Sequence, residues 1–309
     1  MSGPARQKPA VVFATLLGST ESEPRVRLAV SSLRRFGGPL AASPVLVFAP
    51  GQLCGSEVGR MDGVEVVELE LEPSLARYPF GVKVVACAQA EARLPRGTRS
   101  LVWLGPGCLV VNPPELFSLG PGCDAALRPV HIANIGSTSS APLDEYWSAV
   151  YEAAGAQDGG GSVESFLDGR RLRPYYNTHC FSVNPGLGLL AEWRRTFEAM
   201  VADAAFQAGP CRDEPHRIFL HQAVLSALIT KSVAPGRLRV LPPSYSYPLH
   251  FHAKLAGARR VRRMNDIVCA AYEEDSDLSM VPVDEPLRSW LRSIIGHDGA
   301  RPSIIDRGR

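Results

Sequence analysis

The sequence predicts an α/β fold of Rossmann-like build, with a mixed but mostly parallel central sheet flanked by helices. Three observations carry this. The runs 10–16, 44–48 and 100–104 are almost wholly apolar, as in parallel strands buried on both faces. Between the first two, the stretch from Glu23 to Phe36 sets Val26, Val30 and Leu33 at helical spacing, with Arg25, Arg27, Arg34 and Arg35 on the remaining arc. The third run stops at Gly105-Pro106-Gly107 and resumes at Cys108-Leu109-Val110-Val111, an interruption expected where a sheet binds ligand at its carboxyl edge.

The first strand gives way at Gly18-Ser19-Thr20 to the helix from Glu23, which Gly37-Gly38-Pro39 stops. Strands at 44–48 and 64–69 complete a strand-helix-strand unit, and the alternation of the latter predicts one wetter face. Small residues over 80–92 predict a closely packed helix before the interrupted strand, which Asn112-Pro113-Pro114 ends. Downstream, 123–130 reads as a strand, 143–154 as a helix and 155–161, rich in glycine, as a loop. Residues 172–184 read as a loop entering a strand, 187–205 and 217–229 as helices, and 237–241 as a strand. Residues 242–248 read as an aromatic loop stiffened by proline. The expected division is a disordered N-terminus over 1–9, one domain over 10–258 and a C-terminal extension over 259–309, loosely attached after about Glu273.

Composition narrows the function classes. Of 309 residues, 45% are apolar and 21% charged, the balance of a globular chain. No apolar stretch approaches the roughly 20 residues that cross a bilayer, so no membrane span is expected. A net charge of +2 gives no reason to expect nucleic acid as a partner. Lys8, Lys83, Lys231 and Lys254 are the only lysines among the 33 basic residues. Coding bias accounts for this, and arginine's suitability for phosphate is the alternative. The run Arg259-Arg260-Val261-Arg262-Arg263 reads as a solvated segment balanced by Glu273-Glu274-Asp275. Seven cysteines without a C-x-x-C pair predict neither a disulfide framework nor a tetrahedral zinc site. With no apolar leader at the N-terminus, a cytoplasmic location is expected.

Several short motifs then follow one another. Lys83-Val84-Val85-Ala86 leads to Trp103-Leu104-Gly105-Pro106-Gly107-Cys108-Leu109-Val110 and to Pro114-Glu115-Leu116-Phe117. Later come Tyr176-Asn177-Thr178-His179-Cys180-Phe181, His221-Gln222, Leu241-Pro242-Pro243-Ser244-Tyr245-Ser246-Tyr247 and His250-Phe251-His252-Ala253-Lys254. In this order they resemble the nucleotide-diphospho-sugar transferases of the GT-A fold. The likeness is greatest to the retaining family 8, with its glycogenin-like and lipopolysaccharide galactosyltransferase-like enzymes, and it covers residues 10–255. One element departs from the pattern. Where the family has D-x-D, whose carboxylates hold a manganese or magnesium ion against the donor's phosphates, this chain has Gly105-Pro106-Gly107.

The resemblance implies a nucleotide-sugar donor, a UDP-sugar first, and an acceptor that it does not name. Gln222 stands where the family has an amide near the anomeric carbon; His221, in place of an aspartate, and Asn177 complete the catalytic candidates. Thr15, Leu16, Lys83, Trp103, Gly105, Gly107 and Lys254 are the donor-side candidates, and Arg128, Arg173, His179 and Tyr245 those of the acceptor side. His250 and His252 stand at the family's metal-binding histidine, and strand alternation would point the two to opposite faces. Whether a divalent metal is bound stays open. Two further alternatives are a binding or regulatory module without transfer, motivated by the lost aspartates, and a histidine-metal enzyme using His179, His221, His250 and His252. The oligomeric state is left open.

Overall fold

The computed structural model describes residues 10–273 and 281–297, with side chains through residue 294. The segment expected to be a disordered N-terminus and the acidic Glu274 and Asp275 lie outside the described residues. The chain opens with β1 (Val11–Leu16), α1 (Glu23–Phe36), β2 (Val45–Ala49) and β3 (Val64–Glu68). There follow α2 (Pro73–Arg77), α3 (Gly81–Arg93), β4 (Ser100–Leu104), β5 (Cys108–Val110) and β6 (Ala125–Pro129). Next come α4 (Glu145–Ala154), the short hairpin β7 (Val163–Glu164) and β8 (Arg171–Leu172), and β9 (Tyr176–Val183). The last third holds α5 (Leu189–Ala202), α6 (Ala204–Ala208), α7 (Glu214–Ser232), β10 (Leu238–Val240), β11 (Tyr245–Pro248), β12 (Cys269–Ala271) and α8 (Leu287–His297).

Seven strands form the central sheet in the order β10-β6-β9-β4-β1-β2-β3. All its pairings are parallel except those of β9, which runs antiparallel to both β4 and β6. The unbroken apolar runs of β1, β2 and β4 have a direct cause: each strand feeds two cores. Val12, Ala14, Leu46, Phe48, Leu101 and Trp103 pack with α3, α4, α5 and α7 on one face. Val11, Phe13, Val45, Val47, Val102 and Leu104 pack with Val26, Val30 and Leu33 of α1 on the other. β3, at the sheet edge, alternates between covered and exposed positions as its sequence predicts. In α7 the stretch 220–229 is buried without a break, so this helix runs through the core rather than along its surface.

Two sequence expectations need correction. The segment 242–248, expected as a loop, contains β11; a register shift between Tyr245 and Tyr247, where Ser246 holds φ of 66°, sends one ring to the second core and the other to a third. The expectation of strand alternation at His250 and His252 also fails, since both lie in a 3-10 turn over 249–254.

Residues past 258 bear directly on the expected division. β12 is the middle strand of a second sheet, parallel to β11 and antiparallel to β5. Met264, Ile267, Val281, Leu287 and Leu291 are buried in the third core with Leu109 and Tyr247. From α8, Trp290 meets Phe36 of α1 edge-on at 5.0 Å between ring centroids. The basic run is likewise engaged: Arg259 pairs with Glu164, Arg260 donates to the carbonyls of Ala253 and Leu255, and Arg263 pairs with Asp284.

Candidate functional site

Where β1 and β4 end, a cleft of about 730 Å³ opens beside Leu16 and Trp103. Because β9 runs antiparallel, its first residues come to this same edge and bring Asn177, Thr178 and His179 into the lining. A register shift in the β6–β9 pairing between Ala126 and Arg128 lies just before that point, a place where bulges re-aim side chains. From α3 comes Lys83, and from α7 come His221 and Gln222, the polar interruption in an otherwise apolar buried stretch.

Lys83 is buried, and its ammonium donates to the carbonyl of Thr178. The ammonium also lies 5.8 Å from the ring centre of Phe80 and 5.9 Å from that of Trp103. Burial pulls its pKa down to about 8. Among the described residues no carboxylate forms an ion pair with it.

Thr178 ties β9 to α7. Its hydroxyl lies 3.0 Å from His221 Nε2 and 3.4 Å from Gln222 Oε1. His221 Nδ1 is 2.9 Å from the carbonyl of Ile218, which can only accept, so Nδ1 carries the proton and Nε2 accepts from Thr178. Burial and the Lys83 charge push the His221 pKa well below the usual histidine value. With both nitrogens committed and its ring stacked on Phe80 at 4.2 Å, His221, one of the catalytic candidates, presents no unengaged ring nitrogen to the cleft. Gln222 is fixed at its other end, where Nε2 donates to the Tyr175 hydroxyl at 3.1 Å. Asn177 Oδ1 accepts from the His179 amide at 2.7 Å.

Other lining residues escaped the sequence reading, His131, Phe80, Arg25 and Glu273 among them. His131, two residues past the β6 end, accepts at Nδ1 from Arg128 at 3.1 Å, which leaves its buried Nε2–H without a partner. Its ring lies 6.2 Å from those of His179 and His250. Burial and neighbouring positive charge depress His131 strongly and take His179 down to about 3, so both imidazoles are neutral near pH 7. Phe80 holds φ of 60°, the left-handed region that costs a non-glycine residue about 1–3 kcal/mol, and its ring is 47% exposed at the cleft. Arg25 and Glu273 also line the cleft. The one signal for His131 was its place at the carboxyl end of a strand; nothing local marked the other three.

Several expected site residues lie elsewhere. Thr15 is buried within β1. Lys254 is exposed and lies over Phe251, 5.5 Å from its ring centre. Arg128 is buried, bonded to the Ser246 carbonyl and set over the Phe166 ring at 4.5 Å. Arg173 pins Ser137, Thr138, Ala141 and Asp158 together. Tyr245 accepts from the Leu116 amide at 2.9 Å, and His252 bonds the Tyr247 hydroxyl at 2.8 Å. Arg128, Arg173, Tyr245 and His252 are drawn into tertiary bonds that their sequence positions do not reveal. Gly105, Gly107 and His250 do line the cleft.

The residues present do not fit a divalent metal at the D-x-D position. A Cβ on Gly105 would stand 2.9 Å from the His179 carbonyl oxygen, and one on Gly107 would stand 2.4 Å from that of Tyr272. Backbone bonds hold both approaches closed: Gly105 donates to His179 at 2.8 Å, and Tyr272 donates to Gly107 at 2.9 Å. Aspartate at either position requires main chain to move. Among the described residues no three His, Cys, Asp or Glu side chains are placed to hold a metal ion, and this applies equally to the histidine set expected from sequence.

No protein-family model matches this sequence, and no curated protein matches it. Solved structures do resemble the fold. The galactosyltransferase LgtC in complex with donor and acceptor sugar analogs aligns with a TM-score of 0.54 at 12% identity, over 94% of this chain and 97% of that one. An active-site mutant of LgtC, glutamine to glutamate, aligns with a TM-score of 0.51 at 11% identity, over 94% of this chain and 97% of that one. The architecture is that of the GT-A glycosyltransferases.

Proposed function

We propose that this protein is a glycosyltransferase that takes a sugar from a nucleotide-diphospho-sugar, a UDP-sugar first, and passes it to an acceptor with retention at the anomeric carbon. The observation that carries this reading is the meeting of Gln222 from α7, Asn177 from β9 and Lys83 from α3 at the carboxyl edge of the sheet. Their cleft has the volume of a small-molecule site. Support also comes from LgtC, which is similar in fold and has an active-site mutant at a glutamine; Gln222 is the one glutamine lining this cleft among the described residues.

In this reading the Gln222 amide, steadied through its Nε2 by the Tyr175 hydroxyl, turns its carbonyl oxygen to the positive charge that develops at the anomeric carbon. An uncharged amide stabilises that centre without trapping it covalently. Asn177 orients the sugar, Leu16 and Trp103 border the nucleotide, and the exposed Phe80 ring is a stacking platform. The reading extends to the cytoplasm, because all seven cysteines are unpaired. Among the described residues no helix is long and apolar enough to cross a membrane.

Incubation with a panel of UDP- and GDP-sugars, followed by chromatography, tests the proposal. Release of nucleoside diphosphate from one donor is expected; intact donors throughout would contradict transfer. A second reading, a module that binds the nucleotide sugar and does not turn it over, is favoured by the closed glycine pair at 105 and 107. Nucleotide binding without release would select it.

A further inference from the structure

We infer that this cleft binds the diphosphate of its donor without a divalent metal ion, and that the Lys83 ammonium supplies the positive charge a metal would otherwise bring. The inference rests on the nucleotide-sugar reading above and says how that site is charged.

Three independent observations converge. The first is steric: the backbone carbonyls of His179 and Tyr272 occupy the space that side chains at 105 and 107 would need. The second is the charge of the lining, where Glu273 is the sole carboxylate among the described residues and Lys83 and Arg25 are both cationic. Glu273 also lies 3.6 Å from His250 Nε2. Magnesium and manganese are bound through hard oxygen ligands, and among the described residues the lining offers them a single carboxylate.

The third observation is the state of Lys83 itself. A buried ammonium carries a desolvation cost that a partner anion offsets. It donates to the neutral carbonyl of Thr178, which uses one of its three N–H donors. The titratable groups around it are the thiols of Cys87, Cys108 and Cys180 and the imidazoles of His179 and His221. Those imidazoles are kept neutral, and among the described residues no carboxylate forms an ion pair with the ammonium. A phosphate oxygen reaching it forms a charge-assisted bond in a largely desolvated place, where such bonds are strongest. Lysine acts there as a point charge, as the metal would.

Calorimetric titration of the full-length protein with UDP, GDP and ADP, in excess EDTA and in excess manganese, tests this. We expect the preferred nucleotide to bind with affinities equal within about twofold in the two conditions. Lys83→Met, which keeps length and removes the charge, should weaken binding at least about tenfold while the melting temperature holds or rises. Should that variant fail to fold, the unaltered protein answers the same question: affinity should fall as pH rises past about 8, where Lys83 loses its proton. Binding that appears only with manganese would overturn the inference and leave the transferase reading standing. Binding in EDTA that ignores both Lys83→Met and that pH range would overturn the role of Lys83. No binding of any nucleoside diphosphate in either condition would overturn the transferase reading, and this inference with it.

Discussion

At the scale of single residues, the glycines at 105 and 107 mark the largest departure from the motif pattern that the chain otherwise follows. Their lack of side chains is enforced by two backbone carbonyls at sub-contact distance. Restoring aspartates in the double variant Gly105→Asp, Gly107→Asp should therefore lower stability, by about 1–3 kcal/mol for each overpacked position, without creating manganese-dependent nucleotide binding. Thermal melts and calorimetry with and without the metal check both halves. A stable variant with tight manganese binding would show that the main chain yields freely. The sequence made the absence of carboxylates plain, yet could not reveal that the space had closed, because His179 and Tyr272 are far away in the chain. The same holds for Arg128, Arg173 and Tyr245. Their chemistry suits ligand binding, and only tertiary contacts show it spent on Ser246, Asp158 and Leu116.

Among elements, those with one clear period were legible: α1 spans Glu23–Phe36 and β4 spans Ser100–Leu104, as their patterns predict. Elements fixed by long-range pairing were not. β12 has only three residues, and its place between β11 and β5 depends on partners far away in sequence, so no local signal marks it. Its position has a consequence for the region past residue 258. A chain ended at 258 would lose the middle strand of the second sheet and the burial of Met264, Ile267, Leu287 and Leu291. Full burial of such side chains contributes about 1.5–3 kcal/mol apiece, so loss of all four is comparable to the whole stability of an ordinary domain. The truncated chain should show no cooperative melt by circular dichroism. A sharp transition at the temperature of the full chain would instead establish residues 259–309 as a separable extension.

For the molecule as a whole, the fold converges neutral imidazoles on one sheet edge, and that has a pH signature. His131, His179 and His221 are all depressed below the ordinary value near 6.5 by burial and nearby positive charge. Below that value the unfolded chain takes up protons that the native state refuses, so stability is complete above about pH 6.5 and falls with acidification. His179, lowered to about 3, accounts for roughly 2 kcal/mol between pH 6.5 and pH 5. Melting temperature should drop over that interval, and a flat profile would contradict the neutral assignment. The same convergence explains how much of the site the sequence could show. Gln222, Asn177 and Lys83 were legible because each sits in a motif, whereas His131 and Phe80 join them only through the crossing of β6, α3 and α7 at one edge. The transferase reading is tested most directly by comparing the unaltered protein with Gln222→Ala in a donor-turnover assay, alongside nucleotide affinity by calorimetry. The expected result is nucleoside diphosphate release that falls about 10²–10³-fold in the variant, with affinity unchanged within about twofold. Equal turnover in the two proteins would contradict the role of Gln222, and no turnover in either would contradict transfer itself.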